Sequence, residues 1–442
     1  MLPEGVAQIG DSAFRGCTAL ECVAIPESVT SISEKAFYDC TALTAITVSE
    51  NNTAYKSEEG NLYSIDGKTL IQYAAGKTDT SFEIPYGVES ISNYALANCD
   101  SLTEVISLGN ITGIGEWAFY HCDNLSEVTF ETGVTTVNEY AFYWCVSLTS
   151  VTLPEGIDSI GNYAFANCSQ LTTVNIPDSV KAVGTRAFEY CTALDTVTIG
   201  AGVESIGNYA FSGCTALKNI NVSENNSTYS SNGGNLYSAD GKTLIQYAIG
   251  KEDTSFTAPS GVKTVESYAF ASCDSLKEVI LPDSVTKIGE RAFAYCDALE
   301  YVFIPAYVTS IGSCAFESCN SLTNIDVAAS NTTYKDIDGN LYSKDGKTLI
   351  QYAIGKEASE FVVPSSVEII GKWSFAWSEN LTKIVISHNV TSIGDYAFYT
   401  CNNLAEVCYT ASRSVWASIT VGLYNTKLTS ANITYNYTHA SE

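Results

Sequence analysis

Positive charge is scarce in this sequence, and so are long apolar runs. The chain of 442 residues has 22 lysines and arginines against 49 aspartates and glutamates, which gives a net charge of −27. Such a surface repels phosphate backbones and anionic lipid, so nucleic acid and acidic membrane surfaces are excluded as partners. Because no run of about 18 apolar residues occurs, the sequence also predicts no membrane insertion.

Residues for catalysis and metal binding are equally sparse. The three histidines, His121, His388 and His439, stand in no recurring catalytic motif, and Gly-x-Ser-x-Gly and His-Glu-x-x-His are absent. There are 15 cysteines but no Cys-x-x-Cys pair, which structural zinc sites normally use. The sequence therefore predicts a protein that is not an enzyme and that needs no cofactor or metal.

The cysteines instead mark an internal repeat of 23 residues, interrupted by three gaps of 59 residues if Ser378 is taken as a substituted member. The cysteines of this ladder are Cys17, Cys40, Cys99, Cys122, Cys145, Cys168, Cys191, Cys214, Cys273, Cys296, Cys319 and Cys401. At the centre of an apolar face, such a cysteine is most simply a small buried hydrophobic residue. Cys22, Cys314 and Cys408 lie outside the ladder and are expected to be unpaired thiols, and pairing between ladder neighbours stays open.

A longer pattern surrounds each ladder cysteine: Ile-Gly-x-x-Ala-Phe-x-x-Cys-x-x-Leu-x-x-Val-x-Ile-Pro, seen clearly in NYAFANCSQLTTVNIP at residues 162–177. The Ala-Phe-x-x-Cys-x-x-Leu part has helical spacing, whereas Val-x-Ile alternates as a strand does. Neither element can bury its apolar side alone, so neighbouring copies must stack. The predicted fold is an α/β solenoid, with short parallel strands on one face and short helices on the other.

This pattern resembles the bacterial surface-antigen (BspA-like) class of leucine-rich repeat over nearly the whole chain. The resemblance implies an exported or cell-surface bacterial protein engaged in adhesion, with host extracellular-matrix proteins among the partners. The chain departs from the commonest leucine-rich repeats after the strand, where Ser28, Gly156 and Ser179 replace asparagine. Residues 409–442 resemble the non-repeating C-terminal cap of this family, which leaves residues 1–408 for the solenoid.

The three long gaps contain near copies of GNLYSIDGKTLIQYA, starting at Gly60, Gly234 and Gly339. The Gly-Lys-Thr in each copy is no phosphate loop, because six residues separate Gly60 from Gly67 where four are required. An Asp-Gly dipeptide between apolar residues favours a β-hairpin with a two-residue type I′ turn. We therefore predict three inserted hairpins, at about residues 50–80, 224–254 and 329–359.

The segment LPEGVAQIG at residues 2–10 corresponds to residues 153–161, in the middle of a repeat. We therefore expect the natural chain to begin upstream of Met1, with any signal peptide in that missing segment. The expected location is extracellular or at the cell surface.

A binding surface is expected where apolar side chains point away from the core. The residue between Val and Ile of each repeat points outward, because side chains alternate along a strand. This outward column is mostly small and polar in the first two-thirds of the chain, but apolar residues collect later. The candidate protein-binding patch consists of Ile280, Tyr301, Phe303, Val362 and Val385. The alternative is a sheet face covered by the neighbouring hairpin.

A second column is aromatic and precedes the Ala-Phe pair of the repeats. Its members are Tyr94, Trp117, Tyr140, Tyr163, Tyr209, Tyr268, Trp373 and Tyr396. We expect these rings to pack against one another, although aromatic rings also stack on sugars. The function predicted from the sequence is a non-enzymatic scaffold that binds an extracellular protein. The alternatives are a glycan- or mucin-binding module and a structural spacer, and the partner and oligomeric state stay open.

Overall fold

The computed structural model describes residues 2–107, 109, 111–130 and 133–438. The chain divides into two compact units, Met1–Ala239 and Asp240–Glu442. Residues 439–442 of the predicted cap, which include His439, lie outside the described residues, as does Met1.

Each unit is a β-solenoid of stacked parallel strands, and only about 2% of the residues are helical. The 23-residue period sets the strand register, so that Val105 lies opposite Val128 and Val128 lies opposite Val151. Within a strand such as Thr173–Ile176, the valine and isoleucine are buried and the residue between them is exposed. The predicted solenoid with its parallel strands is confirmed.

The longer strand of each repeat, at the position of the Val-x-Ile pattern, has three or four residues. In the first unit they are Cys22–Ile25, Ala45–Val48, Ser81–Ile84, Glu104–Ser107, Glu127–Phe130, Ser150–Thr152, Thr173–Ile176, Thr196–Ile199 and Asn219–Val222. In the second unit they are Ser255–Thr257, Glu278–Ile280, Tyr301–Ile304, Asn324–Val327, Glu360–Val362, Lys383–Ile386, Glu406–Tyr409 and Asn432–Tyr435.

Each repeat also forms a second, two-residue strand that the sequence analysis missed. Ser159 and Ile160, for example, pair in parallel with Ala182 and Val183. In the first unit these short strands are Gln8–Ile9, Ser31–Ile32, Ser90–Ile91, Gly113–Ile114, Thr136–Val137, Ser159–Ile160, Ala182–Val183 and Ser205–Ile206. In the second unit they are Thr264–Val265, Lys287–Ile288, Ser310–Ile311, Ile369–Ile370, Ser392–Ile393 and Thr420–Val421.

The predicted helices on the other face are wrong, because the Ala-Phe-x-x-Cys segments form successive turns. Tyr140 and Trp144 both have positive φ, 57° and 65°, which no α-helix accommodates. Their amides, and that of Phe142, donate to carbonyls of the next repeat, as in Phe142 N to Ala164 O at 2.7 Å. In an α-helix these amides would donate to carbonyls four residues earlier. Here they donate to the next repeat instead, so hydrogen bonds between repeats replace those of a helix.

The core is a column of stacked phenylalanines beside a column of cysteines. The ring centroids of Phe119, Phe142, Phe165 and Phe188 follow one another at 4.7, 5.0 and 5.3 Å. Each ladder thiol tends to donate to a phenylalanine carbonyl 26 residues earlier, as Cys145 Sγ does to Phe119 O at 3.0 Å. All 15 cysteines are free thiols. Burial raises the pKa of ladder thiols such as Cys40 and Cys214, and that of Cys214 reaches about 12.

The repeated GNLYS segments form antiparallel strands rather than the simple hairpin expected. In the first copy, three strands pair in sequence: Tyr55–Glu58, Asn61–Ser64 and Thr69–Gln72. The third copy repeats this with Tyr334–Ile337, Asn340–Ser343 and Thr348–Gln351. Around the second copy, the strands are Tyr229–Asn232 and Asn235–Ser238, which pair in the first unit, and Thr243–Gln246 in the second.

The turn in these segments differs from the predicted type I′. Of Asp66 and Gly67, only Gly67 has positive φ (75°), whereas type I′ requires both. The turn closes through Gly67 N and Ser64 O at 2.8 Å, and the Asp66 carboxylate accepts from Lys68 N. A bulge follows: Tyr63 lies opposite Leu70, whereas Leu62 lies opposite Gln72, two residues further on.

A buried asparagine fixes the start of each copy, and the sequence analysis did not identify it. Asn52 Nδ2 donates to Pro26 O and Val29 O at 2.8 and 2.9 Å, and its Oδ1 accepts from the amides of Ala54 and Tyr55. Asn226 and Asn331 hold equivalent positions. Each side chain thereby satisfies four backbone groups that would otherwise be buried without partners.

The C-terminal part of the second unit has the two helices, Arg413–Trp416 and Thr426–Ser430. The strand Asn432–Tyr435 pairs in parallel with Glu406–Tyr409, so the strand ladder continues to Tyr435. Both helices of the described chain are far too short to cross a membrane.

Candidate functional site

Part of the predicted patch lies on one sheet of the second unit. Ile280 pairs in register with Phe303, on the neighbouring strand, and Phe303 pairs with Asp326 on the next. Ile280 is 39% exposed, and Phe303 and Tyr301 are half-buried. Since the valines that flank these positions fill the core, the outward apolar side chains here are not explained by core packing. These three residues form the strand-face patch.

Tyr301 is held at the edge of the strand-face patch by a hydrogen bond. Its hydroxyl donates to Asp326 Oδ2 at 3.1 Å. Partial burial and the Asp326 carboxylate together raise the pKa of Tyr301 to about 12, so the phenol stays neutral and donating at physiological pH. The patch therefore combines two apolar side chains with a fixed phenol and an adjacent carboxylate.

Val362 and Val385 pair with each other on a different sheet of the same unit. Val362 is 40% exposed, but Val385 is only 2% exposed, so the expectation that Val385 lies on the open surface is wrong. The chain beyond the last strand is held over this region, since Lys383 Nζ donates to the Tyr437 hydroxyl at 3.1 Å and lies 5.1 Å from its ring centroid. Ile280 pairs with Phe303 and Val362 pairs with Val385, and the described strands place the two pairs in different sheets.

A cavity of about 310 Å³ lies beside Val385. Its walls combine valines with hydroxyl groups and one imidazole, a composition that the strand pattern could not predict. The lining residues are Val362, Val363, Pro364, Ser365, Val385, Ser387, His388, Thr410, Tyr437 and Thr438. Tyr437 and Thr438 come from the non-repeating C-terminal segment, whose path no repeat period specifies.

The aromatic column packs largely on itself, as expected. In the first unit, Trp117 and Tyr140 stack with centroids 4.0 Å apart, and Tyr140 and Tyr163 stack at 4.7 Å. In the second unit, Trp373 and Tyr396 stack at 4.1 Å. The facing surfaces of these stacked rings therefore lie against one another.

The sequence profile described as "BspA type leucine rich repeat region" matches the chain in six copies. The matched residues are 1–64, 73–193, 135–233, 250–344 and 352–442. Comparison with curated protein sequences finds no match.

Two solved structures are similar along most of their length. A leucine-rich cell surface protein from Faecalibacterium prausnitzii is 30% identical, with a TM-score of 0.50, over 94% of this chain and 86% of that protein. A leucine-rich repeat protein from Eubacterium ventriosum is 25% identical, with a TM-score of 0.62, over 83% of this chain and 94% of the other.

Proposed function

Since the chain belongs to the BspA-type leucine-rich repeat family, we propose that it is a non-enzymatic scaffold outside a bacterial cell that binds an extracellular protein. The cell-surface description of the similar Faecalibacterium protein supports this location. Host extracellular-matrix proteins are the partner class that we propose. The high negative charge is consistent with a protein partner rather than nucleic acid.

The observation that carries this proposal is the strand-face patch of Ile280, Tyr301 and Phe303. In the first unit, the same outward column has polar residues such as Thr152, exposed and without apolar neighbours in register. An exposed apolar group next to a fixed hydrogen-bonding group is the usual make-up of a protein-binding hot spot. Val362, which is exposed, and Val385, which is buried, both line the cavity of the same unit.

Two structural assignments belong to this proposal. Residues 409–442 act as a cap for the second unit, because Leu428 is fully buried in the same core cluster as Val407 and Tyr409. The three antiparallel segments act as hairpin insertions between 23-residue repeats. Neither assignment requires these segments to contact a partner.

The test is a substitution at the centre of the strand-face patch. Phe303→Asp places a charge where the partner's apolar side chain would lie, and Thr198→Asp is the matched control at an exposed outward position of the first unit. Binding to immobilised fibronectin, laminin and collagen is measured for both variants and for the original chain. We expect the Phe303 variant to lose at least about tenfold in affinity, equivalent to about 1.4 kcal/mol, and the control to bind normally.

Circular dichroism melting separates loss of binding from loss of folding. Unchanged binding by a stably folded Phe303→Asp variant would remove the patch as the site. If the original chain binds none of the matrix proteins, the partner class is wrong, and if it also fails to bind a glycan array, a structural spacer is the better account.

A further inference from the structure

The aromatic column of the first unit opens at one point into a small cleft. The parallel rings of Tyr94 and Trp117 are 6.1 Å apart, compared with 4.0 Å for the next step, Trp117 to Tyr140. A cavity of about 190 Å³ lies at this wider step. Its lining residues are Arg15, Lys35, Tyr38, Tyr94, Trp117 and Tyr120.

The cleft exists because one small residue lies between two large residues on this flank. Tyr38 and Tyr120 are far apart in sequence, yet their ring centroids are 6.3 Å apart. Between their repeats, Ala97 occupies the position equivalent to Tyr38 and Tyr120 and is buried. The two tyrosines therefore extend toward each other over an alanine, and Tyr94, which meets Tyr38 edge-on at 5.4 Å, closes one side.

Two cations line this cleft without a carboxylate partner. The guanidinium of Arg15 lies 5.3 Å from the ring centroid of Tyr38, and the ammonium of Lys35 lies 5.0 Å from that of Tyr94. Within the described part of the chain, neither has a carboxylate oxygen within 4.0 Å. The neighbouring acid Glu34 instead accepts a hydrogen bond from Asn93 at 2.9 Å.

Other cations in the same column are neutralised internally. Arg186 lies 3.5 Å from Glu189, three residues later, and also donates to the hydroxyl of Tyr163 at 2.7 Å. Lys35 occupies the equivalent position of an earlier repeat, but Tyr38 replaces the glutamate three residues later. An arginine in the second unit, Arg291, likewise pairs with Glu317. Among the described residues, Arg15 and Lys35 lack the carboxylate partner that Arg186 and Arg291 have.

We propose that this cleft binds the carboxylate-bearing ring of an acidic sugar. A chain with a net charge of −27 repels anions over most of its surface. The two cations of the cleft, which have no carboxylate partner, make it a favourable place for a carboxylate to bind. The four aromatic side chains in its wall offer apolar surface to the carbon skeleton of a sugar ring, and tyrosine hydroxyls exchange hydrogen bonds with alcohol groups. The volume fits one ring and is below the 300–1,000 Å³ or so of larger ligand pockets, which favours a terminal sugar over a peptide segment.

The test measures binding of defined sugars to the full chain by calorimetric titration and saturation-transfer NMR. The acidic probes are glucuronate and N-acetylneuraminate, glucose is the neutral comparator, and acetate and a tetraglutamate peptide are the non-sugar anions. The double variant Arg15→Gln, Lys35→Gln removes both cations. The control Lys181→Gln, Lys218→Gln changes the net charge equally at other positions of the first unit.

We expect at least one acidic sugar to bind saturably and glucose to bind much more weakly. The cleft variant should bind that sugar at least about tenfold more weakly, and the control variant should be unaffected. Trp117→Phe should also weaken binding, because the broader ring contributes more contact surface to the cleft. Higher salt should weaken binding, since the cations are partly exposed.

Three results would overturn the proposal: neither acidic sugar binds, the cleft variant binds normally, or acetate or tetraglutamate binds as well as the sugar. The last result would indicate a general anion site or a peptide site. Thermal melting of the cleft variant checks that it is folded. The outcome is independent of the matrix-protein test, because that test alters Phe303 in the second unit.

Discussion

Replacement of a central ring of the phenylalanine column tests how the solenoid is stabilised. Phe165 is fully buried and stacks on Phe142 at 5.0 Å and on Phe188 at 5.3 Å. A phenylalanine buries about 150–250 Å², which corresponds to about 4–6 kcal/mol at about 25 cal/mol per Å². Because alanine keeps part of that surface and the site relaxes only partly, we expect Phe165→Ala to cost about 3–5 kcal/mol.

The location of the effect is as informative as its size. In a repeat array each repeat contacts mainly its neighbours, so the loss should be greatest in the repeats that carry Phe142 and Phe188. Hydrogen exchange followed by mass spectrometry measures this peptide by peptide. The control is Phe14→Ala, where a partly buried ring stacks on Phe37 near the start of the described chain and the expected cost is about 1–2 kcal/mol. A uniform loss of protection along the chain, or equal effects of the two variants, would refute nearest-neighbour stabilisation.

Three further predictions follow from single features of the core. Burial raises the folded-state pKa of Cys40 from 9.0 to about 11 and that of Cys214 to about 12. The contribution of these buried thiols to the free energy of unfolding is complete below about pH 9 and is lost as the pH rises through these values. Urea midpoints should therefore fall between about pH 8 and pH 11, and a constant midpoint would contradict this. Ser378 is buried at the ladder position, and its hydroxyl has no hydrogen-bond partner in the described chain. Because an unsatisfied buried hydroxyl destabilises the fold, Ser378→Cys should raise the free energy of unfolding by about 1 kcal/mol. A lower melting temperature of this variant would show that the position does not tolerate a thiol. A Cβ at Gly184 would meet backbone atoms of Gly161 and Asn162 at 2.5 Å; Gly184→Ala should therefore cost about 1–3 kcal/mol, with Gly10→Ala, where nothing lies within 4 Å, as the neutral control.

The sequence determines the parallel strands well because their pattern and period are both strong. Valine and isoleucine alternate at a fixed spacing of 23 residues, and a one-residue slip would expose the buried side of every strand. The same reasoning failed for the turn face. Ala-Phe-x-x-Cys has helical spacing, but inter-repeat hydrogen bonds to residues such as Ala164 take the amides that a helix needs, and periodicity alone does not reveal this competition.

The candidate site was predictable in part, for the same reason. Ile280 and Phe303 could be placed side by side because both follow from the strand register. The burial of Val385 could not, and the cavity beside it is lined in part by Tyr437, in a segment without the repeat. The cleft at the Tyr94–Trp117 step could not be predicted from the sequence either. It depends on the distance between Tyr94 and Trp117 and on the missing partner of Lys35, and both are three-dimensional facts.

The central claim is that the second unit binds an extracellular protein through the strand-face patch. Hydrogen exchange with and without a bound matrix protein tests it most directly, because protection maps the contact surface without any substitution. The account predicts slower exchange in peptides that cover Glu278–Ile280 and Tyr301–Ile304. Protection confined to other strands, with these two unchanged in a saturated complex, would contradict it.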